Sequence, residues 1–245
     1  MKKGTWMKVL AGLILFWLSY LTSADSLRIV SSEFVPHNGQ DLPEQGYAIQ
    51  MLREIFASQQ QEVHFEFLPW PRALLQAKEG EAVAVVTIWH SAERAQYLNY
   101  PTPLYSNKVM LYHNKQNPVV FTQLDALPVT KLRLGMVRGY SYPEVIEKLP
   151  FDRVEVNTDL ESLKMLALGR VDLVVCEQQV AEYLLKTELT SYSTIETTGA
   201  PLEEKPMYIA FSKAHPQAEL LQQKYEQGLQ LLKQQKRLEL LQPNY

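Results

Sequence analysis

Arg94 lies a few residues beyond the apolar run AVAVVTIW, in the stretch SAERAQYLNYPTPLY, where the chain turns through Pro101 and Pro103. A guanidinium is a planar two-donor fork that stays charged at any ordinary pH, which suits a carboxylate. Two further stretches place polar and aromatic groups after apolar runs: VRGYSYPE, with Tyr140, Ser141 and Tyr142, and CEQQ, with Glu177. Acid–base chemistry would need His90 or Glu177 held by an orienting partner, and the sequence offers neither a neighbour for that task. His37, His64, His90, His113 and His215 have no close spacing with one another or with Cys176. The expectation is therefore no metal site, no cofactor and no catalytic residue.

The elements that must position these groups alternate along the chain. LRIVSS reads as a strand, GYAIQMLREIFASQ as an amphipathic helix with Ile49, Leu52, Ile55 and Phe56 on one face, and EVHFEFLP as a strand. WPRALLQAKEG reads as a helix with Pro71 in its first turn and Gly80 past its end. AVAVVTIW is apolar enough for a strand buried on both faces. NKVMLYHNK is extended and leads into a polar connection around Gln116 to Asp125. A second unit repeats the rhythm, with KLRLGMV, RVEVN and VDLVVCE as strands and SYPEVIEKL and DLESLKMLALG as helices. MYIAFSK is extended again, and QAELLQQKYEQGLQLLKQQ is a helix with Leu220, Leu221, Tyr225, Leu229 and Leu232 along one stripe.

Such a β-α-β progression implies an α/β fold with mixed, mostly parallel sheets flanked by helices, and ligands then sit beyond the carboxyl ends of strands. Two extended segments around a self-contained middle unit predict two lobes joined by two hinge crossings, near Leu111 and Tyr208. Lobe one takes residues 25–111 and 207–245, and lobe two takes 112–206. The three polar stretches would then face one another across a cleft.

MKKGTWMK carries only positive charge, VLAGLILFWLSYL is a short apolar core, and TSA puts small residues before a cut at Asp25, so residues 1–24 read as a signal peptide. No later stretch reaches the roughly 20 apolar residues of a membrane helix, and the expected location is the periplasm. Losing Lys2, Lys3 and Lys8 takes Lys+Arg from 24 to 21 against 27 Asp+Glu, a net charge of −6. That argues against nucleic acid or an anionic membrane surface as partner. A single cysteine, Cys176, permits no intramolecular disulfide and is expected to be buried.

The ordered set GYAIQMLREIF, PWPRAL with EG after it, ERAQYLNYPTPLY, LGMVRGYSY, LALGRVDLVV and a C-terminal helix with its tail resembles the family 3 solute-binding proteins of polar amino-acid ABC transporters. The likeness covers nearly the whole mature chain and implies a two-lobed, type II periplasmic-binding-protein fold. It implies that Arg94 grips a ligand α-carboxylate, with Ser91 starting the helix that carries it, that Ser141 binds from lobe two at a helix start, and that Glu177 accepts an α-ammonium. Otherwise Arg94 is a surface residue paired with an acid such as Glu93, and Glu177 an exposed strand-end carboxylate. Two hydroxyl positions of the family fall on Thr87, which keeps one, and Trp89, which replaces the other; Val83 stands where an Asp is usual. Trp89 with Trp70, Tyr140 and Tyr142 forms either a wall for a flat or apolar ligand part or ordinary core. Arg72 adds a second positive group or covers its own helix.

The resemblance implies a monomeric periplasmic binding protein, not an enzyme, that captures a small carboxylate-bearing solute, an amino acid or analogue, for the membrane permease of an ABC transporter. Two alternatives share the fold: a dehydratase of cyclic carboxylates, and a ligand-sensing protein that regulates a membrane partner.

Overall fold

The computed structural model describes residues 27–119, 121, 124 and 129–241; the expected signal peptide and its expected cut at Asp25, part of the polar connection and the end of the C-terminal tail lie outside the described residues. Strands β1 (Leu27–Ser31), β2 (Val63–Phe67) and β3 (Ala84–Trp89) pair in parallel, with β1 in the middle. Helices α1 (Tyr47–Ala57) and α2 (Trp70–Glu79) connect them. The short β4 (Leu98–Asn99) and the long β5 (Tyr105–Asn114) follow. A second parallel set, β6 (Arg133–Val137), β7 (Asp152–Val156) and β8 (Leu173–Glu177), is connected by α3 (Glu144–Lys148) and α4 (Asp159–Ala167). Then come α5 (Gln178–Thr187), β9 (Ile195–Ser212) and α6 (Ala218–Gln234). The sheet order is β2-β1-β3-β9-β5-β8-β6-β7, with β4 also on β9, and β9 antiparallel to both β3 and β5.

Strand β1 is flanked by parallel neighbours and covered on both faces, as continuous apolar runs in parallel sheets require. Ile29 packs on the side of α1 and α6, and Val30 on the side of α2. Helix α1 buries Ile49, Leu52, Ile55 and Phe56 as its spacing predicts, against Leu221, Tyr225 and Leu229 of α6. Each such side chain contributes about 1.5–3 kcal/mol on burial. Helix α2 instead turns Ala73 and Ala77 to the sheet, so its backbone lies close to Val85 and Ile88. It stops at Gly80, whose φ of 77° closes the helix in the left-handed region that a Cβ disfavours. The second half has its own core, built on Leu134, Leu163, Leu166, Val174 and Leu184. Among the described residues no helix is long and apolar enough to cross a membrane.

Several expectations need correcting. The returning strand starts at Ile195, not Met207, because backbone pairing with β5 holds the polar segment IETTGAPLEEKP without any apolar pattern. The segment QQVAEYLLKT, unassigned from sequence, is α5, with Val180, Ala181 and Leu184 buried on one face. Leu220 does not join the stripe of α6 and is 56% exposed. Ser91 starts no α-helix: Arg94–Gln96 form a single 3-10 turn. Ser141 likewise lies in a loop, since α3 begins only after Pro143.

Candidate functional site

Strand β3 delivers its end through a distortion. Thr87 has a φ of 51°, and the pairing with β9 shifts register between Val86 and Ile88. A β-branched residue in the left-handed region is a true outlier, and an extra residue in a strand re-aims the side chains after it. Val86 therefore packs on the α1 side while Ile88 packs on the α2 side, although they are two apart. Trp89 is turned with them. Its indole Nε1 donates to Asn107 Oδ1 at 3.0 Å, and the Lys205 ammonium lies 5.3 Å from its ring centre.

Five residues on, Arg94 is 6% exposed. Ser91 Oγ accepts the Arg94 N–H at 3.2 Å and so pins the turn. The guanidinium donates to the Trp89 carbonyl at 3.1 Å and to the Gly139 carbonyl at 2.6 Å, and sits 5.5 Å from the Trp70 ring centre. Burial draws its pKa below the ordinary arginine value, opposed by Tyr100, Tyr97 and Glu93. Its hydrogen-bond partners are two neutral carbonyls and the Tyr100 side chain, and among the described residues it forms no ion pair. A desolvated charge held only by dipoles is under-compensated.

The second half meets it at the loop after β6. Gly139 has a φ of 76°, which frees its carbonyl to face the first half, where it accepts both Arg94 and Trp70 Nε1, the latter at 2.9 Å. Tyr140 packs edge-on against Trp70 and Trp89. Behind it, the Tyr140 hydroxyl donates to Asp159 Oδ2 at 3.0 Å, and Cys176 Sγ lies 3.3 Å from Asp159 Oδ1. Burial raises the Asp159 pKa to about 6 despite those two donors. Tyr142 turns inward, its hydroxyl accepting the Val137 N–H at 2.6 Å.

Of the residues singled out from sequence, Arg94, Thr87, Trp89, Trp70, Tyr140 and Ser141 line one cavity between the halves. Its volume is about 20 Å³, room for about one water, so the halves as they stand leave no space for a larger ligand. Ser91 supports from the rim. Arg72 lines a separate opening of about 560 Å³ with Arg138 and Asn157, sharing only Ser32, Trp70 and Tyr140 with the first.

Glu177 is not brought to this cavity. It is 1% exposed, its Oε2 lies 2.9 Å from His37 Nε2, and the same oxygen accepts the Val180 N–H at 2.8 Å as the cap of α5. His37, fully buried, is held in turn by the hydroxyls of Tyr47 and Tyr105 at Nδ1. So the orienting partner that looked absent near Glu177 exists, 140 residues away. His90 is exposed and lies edge-on to Tyr100. Ser32, Phe34 and Met207 complete the cavity and were missed. The rule that strand ends carry sites would have flagged SSEF after β1. Met207 could be found only through its register opposite Trp89 on β9.

Comparison with known proteins gives the same fold. The family model for bacterial extracellular solute-binding proteins, family 3, matches residues 29–245. No curated protein matches the chain in sequence. Among solved structures, the substrate-binding protein of an amino acid ABC transporter is similar with a TM-score of 0.75 at 17% identity, over 88% of this chain and 96% of that one. A histidine kinase sensor domain with similarity to periplasmic binding proteins gives a TM-score of 0.78 at 18% identity, over 89% and 94%. An ancestral amino acid-binding protein, a precursor of cyclohexadienyl dehydratase, gives 0.72 at 16%, over 88% and 92%. Identities this low speak for the fold alone. The match along residues 29–245 goes further: this chain belongs to family 3 of the bacterial extracellular solute-binding proteins and has their two-lobed type II fold.

Proposed function

We infer that this is an exported, monomeric periplasmic binding protein that captures a small carboxylate-bearing solute, an amino acid or close analogue, between its lobes and delivers it to the permease of an ABC transporter. The lobes are residues 25–111 with 207–245, and residues 112–206, and they part and close by bending at the β5–β9 crossings. One observation carries the reading: Arg94 is buried at the cleft, hydrogen-bonded to two carbonyls and the Tyr100 side chain, with no ion pair among the described residues. A carboxylate arriving in the open state replaces the Gly139 carbonyl on the guanidinium, and closure then adds contacts from Tyr140 and Ser141 that exist only in the closed state. The dehydratase alternative needs a base at the ligand, and the residues lining the cavity include neither carboxyl nor imidazole. A sensory role uses the same ligand contacts and differs only in the membrane partner.

The test is a thermal-shift screen of amino acids and related carboxylates on the mature chain and on Arg94→Ala. A specific ligand raises Tm by mass action, and that rise disappears in Arg94→Ala. Equal shifts in both proteins would remove the carboxylate clamp.

A further inference from the structure

Resting on that reading, we propose that the ligand is a carboxylate with an apolar or aromatic body and no α-ammonium group, so that the cleft prefers a des-amino acid to the matching amino acid. An α-ammonium sits one carbon from the carboxylate, so Arg94 would draw both groups into the same dry space. There a cation needs an acid to replace its hydration.

None of the nearby acids is available at that place. Glu177, on which the family's ammonium acceptor falls, is tied to His37 and to the cap of α5. Its second oxygen is buried without a partner, but Glu177 borders the opening beside Ser106 and Gln178, not the Arg94 cavity. Asp159 stands behind Tyr140, with one oxygen on the tyrosine hydroxyl and the other on Cys176. Glu33 accepts the Gln40 N–H and borders other openings, and Glu93, whose charge acts on Arg94, is exposed and outside the cavity lining.

The local charge runs the opposite way. Lys205 is 7% exposed, lies over the Trp89 ring, and has its nearest carboxylate, the half-exposed Glu203, at 3.7 Å. Arg94 is over the Trp70 ring. Two buried cations thus already occupy aromatic faces where a ligand ammonium would find cation–π attraction, and both repel a third. A lone carboxylate pairs with Arg94 and meets the positive charge of Lys205 only through the Trp89 ring, and Phe34, Trp89, Tyr140 and Met207 leave its remainder an apolar enclosure.

Titration calorimetry on the mature chain with three matched pairs decides the matter: butanoate and 2-aminobutanoate, 4-methylpentanoate and leucine, 3-phenylpropanoate and phenylalanine. At least one acid is expected to bind about tenfold or more tighter than its amino partner, and Lys205→Met, which keeps the bulk of the stem, is expected to narrow that gap. An amino acid that binds as tightly as its partner or tighter, with Arg94→Ala abolishing it, would overturn this proposal and leave carboxylate capture intact. If no member of any pair binds, or if binding ignores Arg94→Ala, both fall together.

Discussion

Two buried polar constellations join the halves of this molecule, and they are balanced differently. At the first, His37, on the loop after β1, meets Glu177 at the end of β8, with Tyr47 and Tyr105 on the far ring nitrogen and Tyr47 also donating to Gln179 at 3.0 Å. At the second, Arg94 and Trp70 share the Gly139 carbonyl. The first brings an acid and a base together and ties one Glu177 oxygen and both His37 nitrogens within the chain. The second brings in a full positive charge and gives it neutral hydrogen-bond partners and no ion pair among the described residues. A polar contact that is complete within the chain rigidifies, whereas one that lacks a counter-charge is where an outside ion is stabilised. Burial alone does not separate them, since both are nearly closed to solvent.

The sharpest way to break this comparison is to remove the acid from the internally paired site. Glu177→Ala leaves the His37 ring and the Val180 N–H without their partner in a dry interior, and each unsatisfied buried group costs about 1–3 kcal/mol. Urea unfolding should show that loss; a change below about 1 kcal/mol would mean that the constellation is not holding the halves. Asp159 gives the next effect, and it carries a sign. Its folded-state pKa is raised to about 6, so in the window up to that pH the folded chain keeps a proton that the unfolded chain has lost. Stability relative to Asp159→Asn should therefore fall as pH rises from about 4 to about 6 and stay flat above, by roughly 2–3 kcal/mol in all. Parallel slopes for the two proteins across that window would place the carboxyl in an ordinary environment.

Arg94→Ala should cost the ligand-free fold less, about 1–2 kcal/mol. It deletes a charge whose burial is itself unfavourable. The carbonyls left behind keep other donors, Trp70 on Gly139 and, at 3.5 Å, Tyr100 on Trp89. Chemical denaturation without ligand checks this, and a loss matching that of Glu177→Ala would erase the distinction between the two constellations. The smallest effect belongs to Thr87→Gly. It relieves the left-handed backbone that a β-branched residue disfavours, so stability should hold or rise by about 1 kcal/mol, while ligand affinity falls because a cavity wall is gone. A clear drop in Tm would show that the Thr87 side chain supports the fold.

How much of this could be read beforehand follows from the range of each interaction. The faces of α1 and the stop of α2 at Gly80 are written in neighbouring residues, so periodicity and one glycine reveal them. The three strand ends at Trp89, Val137 and Glu177 follow from apolar runs, and two of the three do meet at one cavity. Glu177 misled because local pattern places it at a strand end without saying what stands opposite; His37 comes from a different loop and has no signature of its own. The first part of β9 was hidden for a related reason: hydrogen bonds between backbones leave no mark on side-chain pattern. Thr87 showed only its hydroxyl, because a left-handed backbone has no sequence signature outside glycine and asparagine.

Cys176 lies at the back of Tyr140's support, almost wholly buried, and its thiol pKa is raised well above the usual range, chiefly by burial and then by Asp159 and Glu177. It is also the one cysteine in the chain. An alkylating reagent therefore finds nothing to attack on the closed, folded protein, and every labelled molecule records one excursion in which the second lobe loosened around β8. The chain carries its own clock for that lobe, with no engineered thiol and no background to subtract.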